Sequence, residues 1–288
     1  MNSVLVSAAE VAANPDWRLF DCRHDLSKPD AGRAAYDAGH LPGALHLHLD
    51  KDLAGPMTGR NGRHPLPDWR VFAARMAELG VSTQKTVVAY DAQGGVYAAR
   101  LWWMLRWLGH DNVAVLDGGI AAWQKAGFRL ETDVPLFTRG DLRPQLAIRD
   151  AYLDVDEITA NLDSKLFQLI DARNAERFAG HNETLDPVAG HIPGALNRFF
   201  QHNLDPATGC FKSPDTLNAE FSALLGDADA HAVVHQCGSG VTACHNLLAM
   251  EIAGLNGSRL YPGSWSEWCS DSSRPIVGTM VGVDSSTP

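Results

Sequence analysis

Val233-Val234-His235-Gln236-Cys237-Gly238-Ser239-Gly240-Val241-Thr242-Ala243 compresses a strand, a tight loop and a helix start into one short stretch. The β-branched pair opens a buried strand, Gly238 and Gly240 let the loop fold back, and the run from Val241 to Ala253 has helical character. In that geometry, backbone N–H groups of the loop and of the first helical turn converge on the Cys237 sulfur. The helix N-terminus adds partial positive charge, and both effects favour a thiolate. A free cysteine is more often a small packed hydrophobe. The glycines on either side of Ser239 mark this one as a nucleophile.

Two chemistries use a thiolate cradled ahead of a helix: phosphoryl transfer and sulfur transfer. The first needs an arginine six positions after the cysteine, whose guanidinium fork grips phosphate oxygens. That position is Ala243, and the loop itself has no basic side chain. A persulfide carries a single diffuse charge that backbone N–H groups can hold alone. The residues point to sulfur transfer.

Working outward, the same pattern occurs twice. Leu19-Phe20-Asp21-Cys22-Arg23 is answered by Leu169-Ile170-Asp171-Ala172-Arg173, and Gly39-His40-Leu41-Pro42-Gly43-Ala44 by Gly190-His191-Ile192-Pro193-Gly194-Ala195. Val87-Val88-Ala89-Tyr90-Asp91 matches Val233-Val234-His235-Gln236-Cys237, and Gly118-Gly119-Ile120-Ala121-Ala122-Trp123 matches Gly263-Ser264-Trp265-Ser266-Glu267-Trp268. Four matches in one order, at a domain-sized offset, describe a duplicated domain.

Each half alternates apolar strands with helical stretches, which predicts an α/β fold: two tandem domains, each a mostly parallel sheet with helices on both faces. In the second half, strands are expected near Phe167–Asp171, Ala195–Arg198, Ala232–Gln236 and Ser258–Tyr261. Helices are expected at Val155–Leu162, Pro214–Leu225, Val241–Ala253 and Trp265–Cys269. Cys237 then ends a strand, where such sheets carry reactive loops. The first domain is placed at 1–137, a linker at 138–149 and the second domain at 150–288. Asp91 stands where Cys237 stands. A carboxylate cannot hold a sulfane sulfur, so the first half is expected to be inactive in transfer, with Asp91 capping the next helix and the half closing one side of the active site.

The chain has 288 residues, 45% hydrophobic and 20% charged, enough for two real cores. A formal net charge of −10 argues against nucleic acid or an anionic membrane as partner. The apolar run Leu101-Trp102-Trp103-Met104-Leu105-Arg106-Trp107-Leu108 is too short to span a bilayer and reads as a helix buried against the first sheet. The N-terminus has no basic, long-cored export signal, and five dispersed cysteines fit a reducing cytoplasm. Among 12 histidines, the pairs His46/His48 and His235/Cys237 lack partners at zinc spacing, so no metal is expected.

These motifs together resemble the rhodanese family of sulfurtransferases in its tandem-domain form, from about Ser7 to about Trp268. The Cys-Gly-Ser-Gly-Val-Thr loop is similar to that of 3-mercaptopyruvate sulfurtransferases rather than to the basic loops of thiosulfate-preferring rhodaneses. The resemblance implies a small anionic sulfur donor held by Arg177 and by the loop residues Gly238, Gly240, Val241 and Thr242. It implies a thiophilic acceptor such as cyanide or thioredoxin, and no cofactor. It also implies a relay of Ser239, His64 and Asp50 that protonates the leaving enolate. One departure stands out. The family's second donor-binding arginine falls near Asp186, which keeps thiosulfate open as the main donor. A phosphatase-like enzyme and a non-catalytic sulfur carrier are the rival readings.

Overall fold

The computed structural model describes residues 3–145 and 151–278. In the first half, strands β1 (Leu5–Val6), β2 (Arg18–Asp21), β3 (Ala44–His46), β4 (Val87–Tyr90) and β5 (Val113–Leu116) form a sheet in the order β1-β5-β4-β2-β3, with every pair parallel. Its helices are α1 (Ala8–Ala13), α2 (Ala31–Ala38), α3 (Leu49–Asp52), α4 (Trp69–Glu78), α5 (Ala98–Trp107) and α6 (Gly119–Lys125). The second half repeats the plan with strands β6 (Gln168–Asp171), β7 (Leu196–Asn197), β8 (Val233–Gln236) and β9 (Arg259–Leu260), ordered β7-β6-β8-β9 and again all parallel. Helices α7 (Val155–Ser164), α8 (Ala175–Ala179), α9 (Pro214–Leu225), α10 (Thr242–Ile252) and α11 (Ser264–Trp268) complete it. The edge strand corresponding to β1 shrinks to a single parallel bridge, Tyr152 to Leu260.

The central strands β4 and β8 are buried at every position, which is why both read as unbroken apolar runs rather than alternating ones. The duplication extends to individual hydrogen bonds. Arg23 forks onto Asp21 as Arg173 forks onto Asp171, so these arginines hold loop backbone in both halves, each also donating to a glycine carbonyl, Gly39 or Gly190. Cys22 N–H donates to Tyr90 O at 2.8 Å, and Ala172 N–H to Gln236 O at 2.9 Å.

The expected strands and helices of the second half are all present, with ends shifted by a residue or two. Short α8 was not foreseen, because five residues carry too little periodicity to read. The apolar run 101–108 is the expected helix against the first sheet, and it has a second neighbour as well. It forms the body of α5, which packs on β4 and β5 but equally against α10 of the second half. Every residue of this helix except Arg106 is buried, and its second side faces the other domain. One cluster of buried side chains accordingly runs through both halves, taking in Trp102 and Leu105 with Leu247 and Met250. The described part of the expected linker is not slack. Gly140 N–H donates to Ala77 O at 2.8 Å and Gln145 N–H to Leu108 O at 2.9 Å, strapping the segment along the first half. Linker positions 146–149 lie outside the described residues.

Asp91 fills the first half's loop from within. Its carboxylate accepts N–H bonds from Gln93 at 2.8 Å, Gly95 at 2.9 Å, Tyr97 at 2.8 Å and Ala98 at 3.0 Å. Burial pushes its carboxyl upward against the pull of those four donors. Asp91→Ala should therefore cost on the order of 2–4 kcal/mol in a urea titration. Orphaned buried donors cost ~1–3 kcal/mol each, partly offset by entering water and by removal of a buried charge. An unchanged midpoint would show that the loop holds itself without the carboxylate.

Candidate active site

Cys237 ends β8 and is 2% exposed. Gly240 N–H points at its sulfur, N to Sγ 3.1 Å. The sequence leads one to expect several N–H groups converging on this sulfur; among the described residues Gly240 alone donates to it. The loop's shape is imposed from outside. Cys237 N–H donates to Ser264 Oγ at 3.1 Å, Trp265 N–H to Cys237 O at 3.0 Å and Ser266 N–H to Gly238 O at 2.9 Å. The Gly-Ser-Trp-Ser element is therefore the brace of the nucleophile loop. Ile120 N–H braces Asp91 O at 3.0 Å in the same way. Gly240, at φ +77°, must be glycine, because a Cβ there would strike Pro262 O. Cys244, one helical turn into α10, faces inward with its thiol on Gly240 O at 3.3 Å; burial holds it up at about 12, out of reach of thiolate chemistry.

The first half reaches across to this loop. His64 Nδ1 lies 2.7 Å from Ser239 Oγ, and His64 Nε2 lies 3.1 Å from Asp50 Oδ1. A carboxylate only accepts, so Nε2 carries the ring hydrogen and Nδ1 accepts the Ser239 hydroxyl. Burial, with help from Arg100, depresses His64 from 6.5 to about 4, Asp50 pulling the other way. Ser239 and His64 are both buried, whereas the Asp50 side chain is 43% exposed, so the chain opens to water at its acid end. Asp50 also draws His24 and His48 close. Asp50 Oδ2 lies 4.0 Å from His24 Nε2 and 3.8 Å from His48 Nδ1, wider than the ~3.3–3.4 Å that zinc–nitrogen bonds of ~2.0–2.1 Å set in a tetrahedron. His48 Nδ1 is already occupied by Asp50 N–H at 3.1 Å.

Arg177 stands beside the loop but is not free. Its guanidinium donates to Glu183 at 2.9 Å and to Asp186 at 3.2 Å. Asp186, at the family's second-arginine position, is a buried acceptor that also pairs with Arg63. The sequence argument placed no cation near the loop beyond Arg177. The structure adds Arg63, whose Nη2 would lie 2.8 Å from a Cβ built on Gly238. Its only local signal was that it precedes His64.

Arg100 is the second residue that sequence reasoning missed. It is 0% exposed and donates to Leu53 O at 3.3 Å, His64 O at 3.1 Å and Gly240 O at 3.1 Å. Among the described residues no carboxylate pairs with it. An arginine in the first turn of a helix rich in Trp and Leu was the available clue. Cys237, Gly238, Ser239, Val241 and Thr242 line a cavity of about 70 Å³ with Arg63, Arg177, Val96 and Tyr97. Leu26, Val96, Tyr97, Arg177 and Thr242 also line a neighbouring cleft of about 630 Å³. A larger cavity of about 840 Å³ contains none of these residues, so size does not mark the site here.

Comparison with known proteins bears on the family and the duplicated fold. The family model described as "Rhodanese-like domain" matches residues 7–126 and again 154–271. A Pseudomonas aeruginosa protein named "Probable 3-mercaptopyruvate sulfurtransferase" is 44% identical over 280 residues, covering 95% of this chain and 97% of that one. The thiosulfate sulfurtransferase of Bos taurus is 34% identical, covering 88% of this chain and 85% of its own. The structure of 3-mercaptopyruvate sulfurtransferase from Leishmania major superposes with a TM-score of 0.83 at 31% identity, covering 95% of this chain and 76% of that one.

The depressed titration of His64 sets a direct check. Between about 6.5 and about 4 an unfolded chain holds a proton on this ring that the native chain does not. Stability linked to His64 is thus fully present above about 6.5 and is lost as pH falls toward about 4. Nitrogen-15 NMR of the ring should show a neutral Nε2–H tautomer from pH 8 down to about 5, titrating only below. A ring that is imidazolium at pH 6, or neutral with hydrogen on Nδ1, would contradict the assigned hydrogen-bond directions.

Proposed function

This chain belongs to the rhodanese family, with the rhodanese-like domain present twice, and we propose that it is a sulfurtransferase moving a sulfane sulfur from 3-mercaptopyruvate to a thiophilic acceptor through a persulfide on Cys237. The observation that carries the reading is the junction of Cys237, in a braced loop of the second half, with the Ser239–His64–Asp50 chain that completes it from the first. In this reading the first domain (1–137), with Asp91 at the cysteine position, does not transfer, and the second (150–288) holds the sulfur on Cys237.

The Cys237 thiolate attacks the donor sulfur, and the sulfur–carbon bond breaks with its electron pair passing to carbon, which gives the enolate of pyruvate. The proton originally on the donor sulfur must reach that carbon. Ser239 Oγ accepts it while passing its own proton to His64 Nδ1; the reverse motion delivers a proton to the carbon. A base as weak as His64 returns the proton readily. The products are pyruvate and Cys237–S–S⁻, whose outer sulfur takes up the loop's N–H donors. An acceptor thiolate, from thioredoxin or a small thiol, or cyanide in the test tube, then attacks the outer sulfur, and Cys237 leaves as thiolate. Such a covalent intermediate gives ping-pong kinetics. All five cysteines are free thiols, which supports work in a reducing, cytoplasmic setting, and among the described residues no helix is long and apolar enough to cross a membrane.

A second reading, thiosulfate as main donor, is favoured by the cations that Arg63 and Arg177 bring to a loop that has none of its own. Glu183 and Asp186 offset much of that charge, so a monoanionic carboxylate remains the better fit. Cys237→Ser should reduce cyanide-linked transfer to well below a tenth of wild-type turnover with either donor, whereas Cys22→Ser and Cys210→Ser retain most of it. Ser239→Ala or His64→Ala should lower kcat/KM for mercaptopyruvate about 10²-fold and spare thiosulfate, whose leaving sulfite needs no proton on carbon. Equal losses on both donors would remove the relay, and a higher wild-type kcat/KM for thiosulfate would reverse the donor assignment.

A further inference from the structure

Two guanidinium groups from different domains meet over one loop glycine. A Cβ built on Gly238 would lie 2.8 Å from Arg63 Nη2, 3.4 Å from Arg177 Nη2 and 3.6 Å from Arg177 Nη1. Arg63 uses Nη1 to pair with Asp186, and Arg177 uses Nε and Nη2 for Glu183 and Asp186. Among the described residues neither Arg63 Nη2 nor Arg177 Nη1 has a hydrogen-bond partner. Both arginines and the residue next to Cys237 line the same small cavity. Absence of a side chain at Gly238 is what lets the forks come this close to the backbone.

The geometry assigns Arg63, in the first domain, as the second arm of the donor's carboxylate clamp, opposite Arg177. This deepens the sulfurtransferase reading and rests on it. Asp186 then has a defined part. In the free protein it bridges the two arginines, Oδ1 toward Arg63 and Oδ2 toward Arg177, and so fixes the spacing of the clamp while competing for its charge. The side chain of Asp186 is 2% exposed, so its position is set by packing as well as by the pair. Arg63 is also joined by one peptide bond to His64. The backbone of this dipeptide is anchored to the second domain by Arg63 N–H on Ser266 Oγ at 3.0 Å. Carboxylate grip and proton delivery are therefore held in one register, which suits a donor whose carboxylate sits close to its leaving carbon, as in a 3-sulfanyl-2-oxo acid. Lysine in place of Arg63 would keep the charge and lose the planar fork.

A clamp and a plain domain brace predict opposite signs. If Arg63 only braced the halves, Arg63→Ala and Asp186→Asn would break one ion pair and act alike. As a clamp, Arg63→Ala should raise KM for mercaptopyruvate about 10- to 100-fold, the equivalent of one charged hydrogen bond, with kcat falling less than about threefold. Arg63→Lys should lie between. Asp186→Asn should lower KM by about 3- to 10-fold, because both forks lose a competing carboxylate. Pyruvate binding to the whole chain, measured by calorimetry, should follow the same order and requires no turnover. Parallel effects of Arg63→Ala and Asp186→Asn, or an Arg63→Ala chain with unchanged KM and unchanged pyruvate affinity, would overturn the assignment while leaving sulfur transfer through Cys237 in place. If the wild-type chain transferred from neither donor, the functional reading would fall, and pyruvate affinity would still decide the clamp. Should Asp186→Asn not fold, the comparison of Arg63→Ala with Arg63→Lys in pyruvate binding decides alone: equal affinities for the two would count against a guanidinium clamp.

Discussion

A single buried guanidinium holds the working site together. Arg100 emerges from α5 of the first domain, fully enclosed, and its donors are taken up by the carbonyls of Leu53, His64 and Gly240. Burying a cation costs several kcal/mol unless its donors are satisfied, so the backbone segments carrying those carbonyls cannot drift apart without exposing that cost. One segment follows the helix that carries Asp50, one carries His64, and the third is the Cys237 loop. The ion pair that would neutralise Arg100 is absent among the described residues, which leaves a positive charge behind the loop that must hold an anion. Packing of α5 against α10 encloses the arrangement.

Duplication explains what the two loops have in common and where they part. Both follow a fully buried central strand, and both are braced by an N–H from the element after the last strand of their sheet. In the first half, a resident carboxylate satisfies four loop and helix N–H groups. In the second, the shorter side chain of Cys237 receives Gly240 N–H and leaves room above it. One copy is an anion cradle filled permanently by its own carboxylate, whereas in the other a cavity stands open beside the sulfur. The filled copy has become scaffold, and it lends His64, Arg63 and Arg100 to its twin.

What could be read from the sequence was local or repeated. The strand at Val233–Gln236, the helix at Pro214–Leu225 and the paired Gly-His-x-Pro-Gly segments each announce themselves within a dozen residues, and the second copy confirms the first. Cys237 was legible for the same reason, since its glycines and its helix lie beside it. Contacts between domains were not. Nothing within ten residues of Arg63 says that it faces Gly238, and Arg100 looks like a misplaced surface charge until α10 is laid against its helix. The loop itself carries no cation, as read from the sequence, and the cations beside it, Arg63 and Arg177, are neighbours in space.

Sulfur resides on Cys237 between donor and acceptor in the proposed cycle. Mass spectrometry of the chain after treatment with mercaptopyruvate, acceptor withheld, tests it directly. One added sulfur per chain, mapped to the segment 233–244 on Cys237 and discharged by cyanide, is the expected result. No added sulfur, or sulfur mapped to Cys22, Cys210, Cys244 or Cys269, would contradict it.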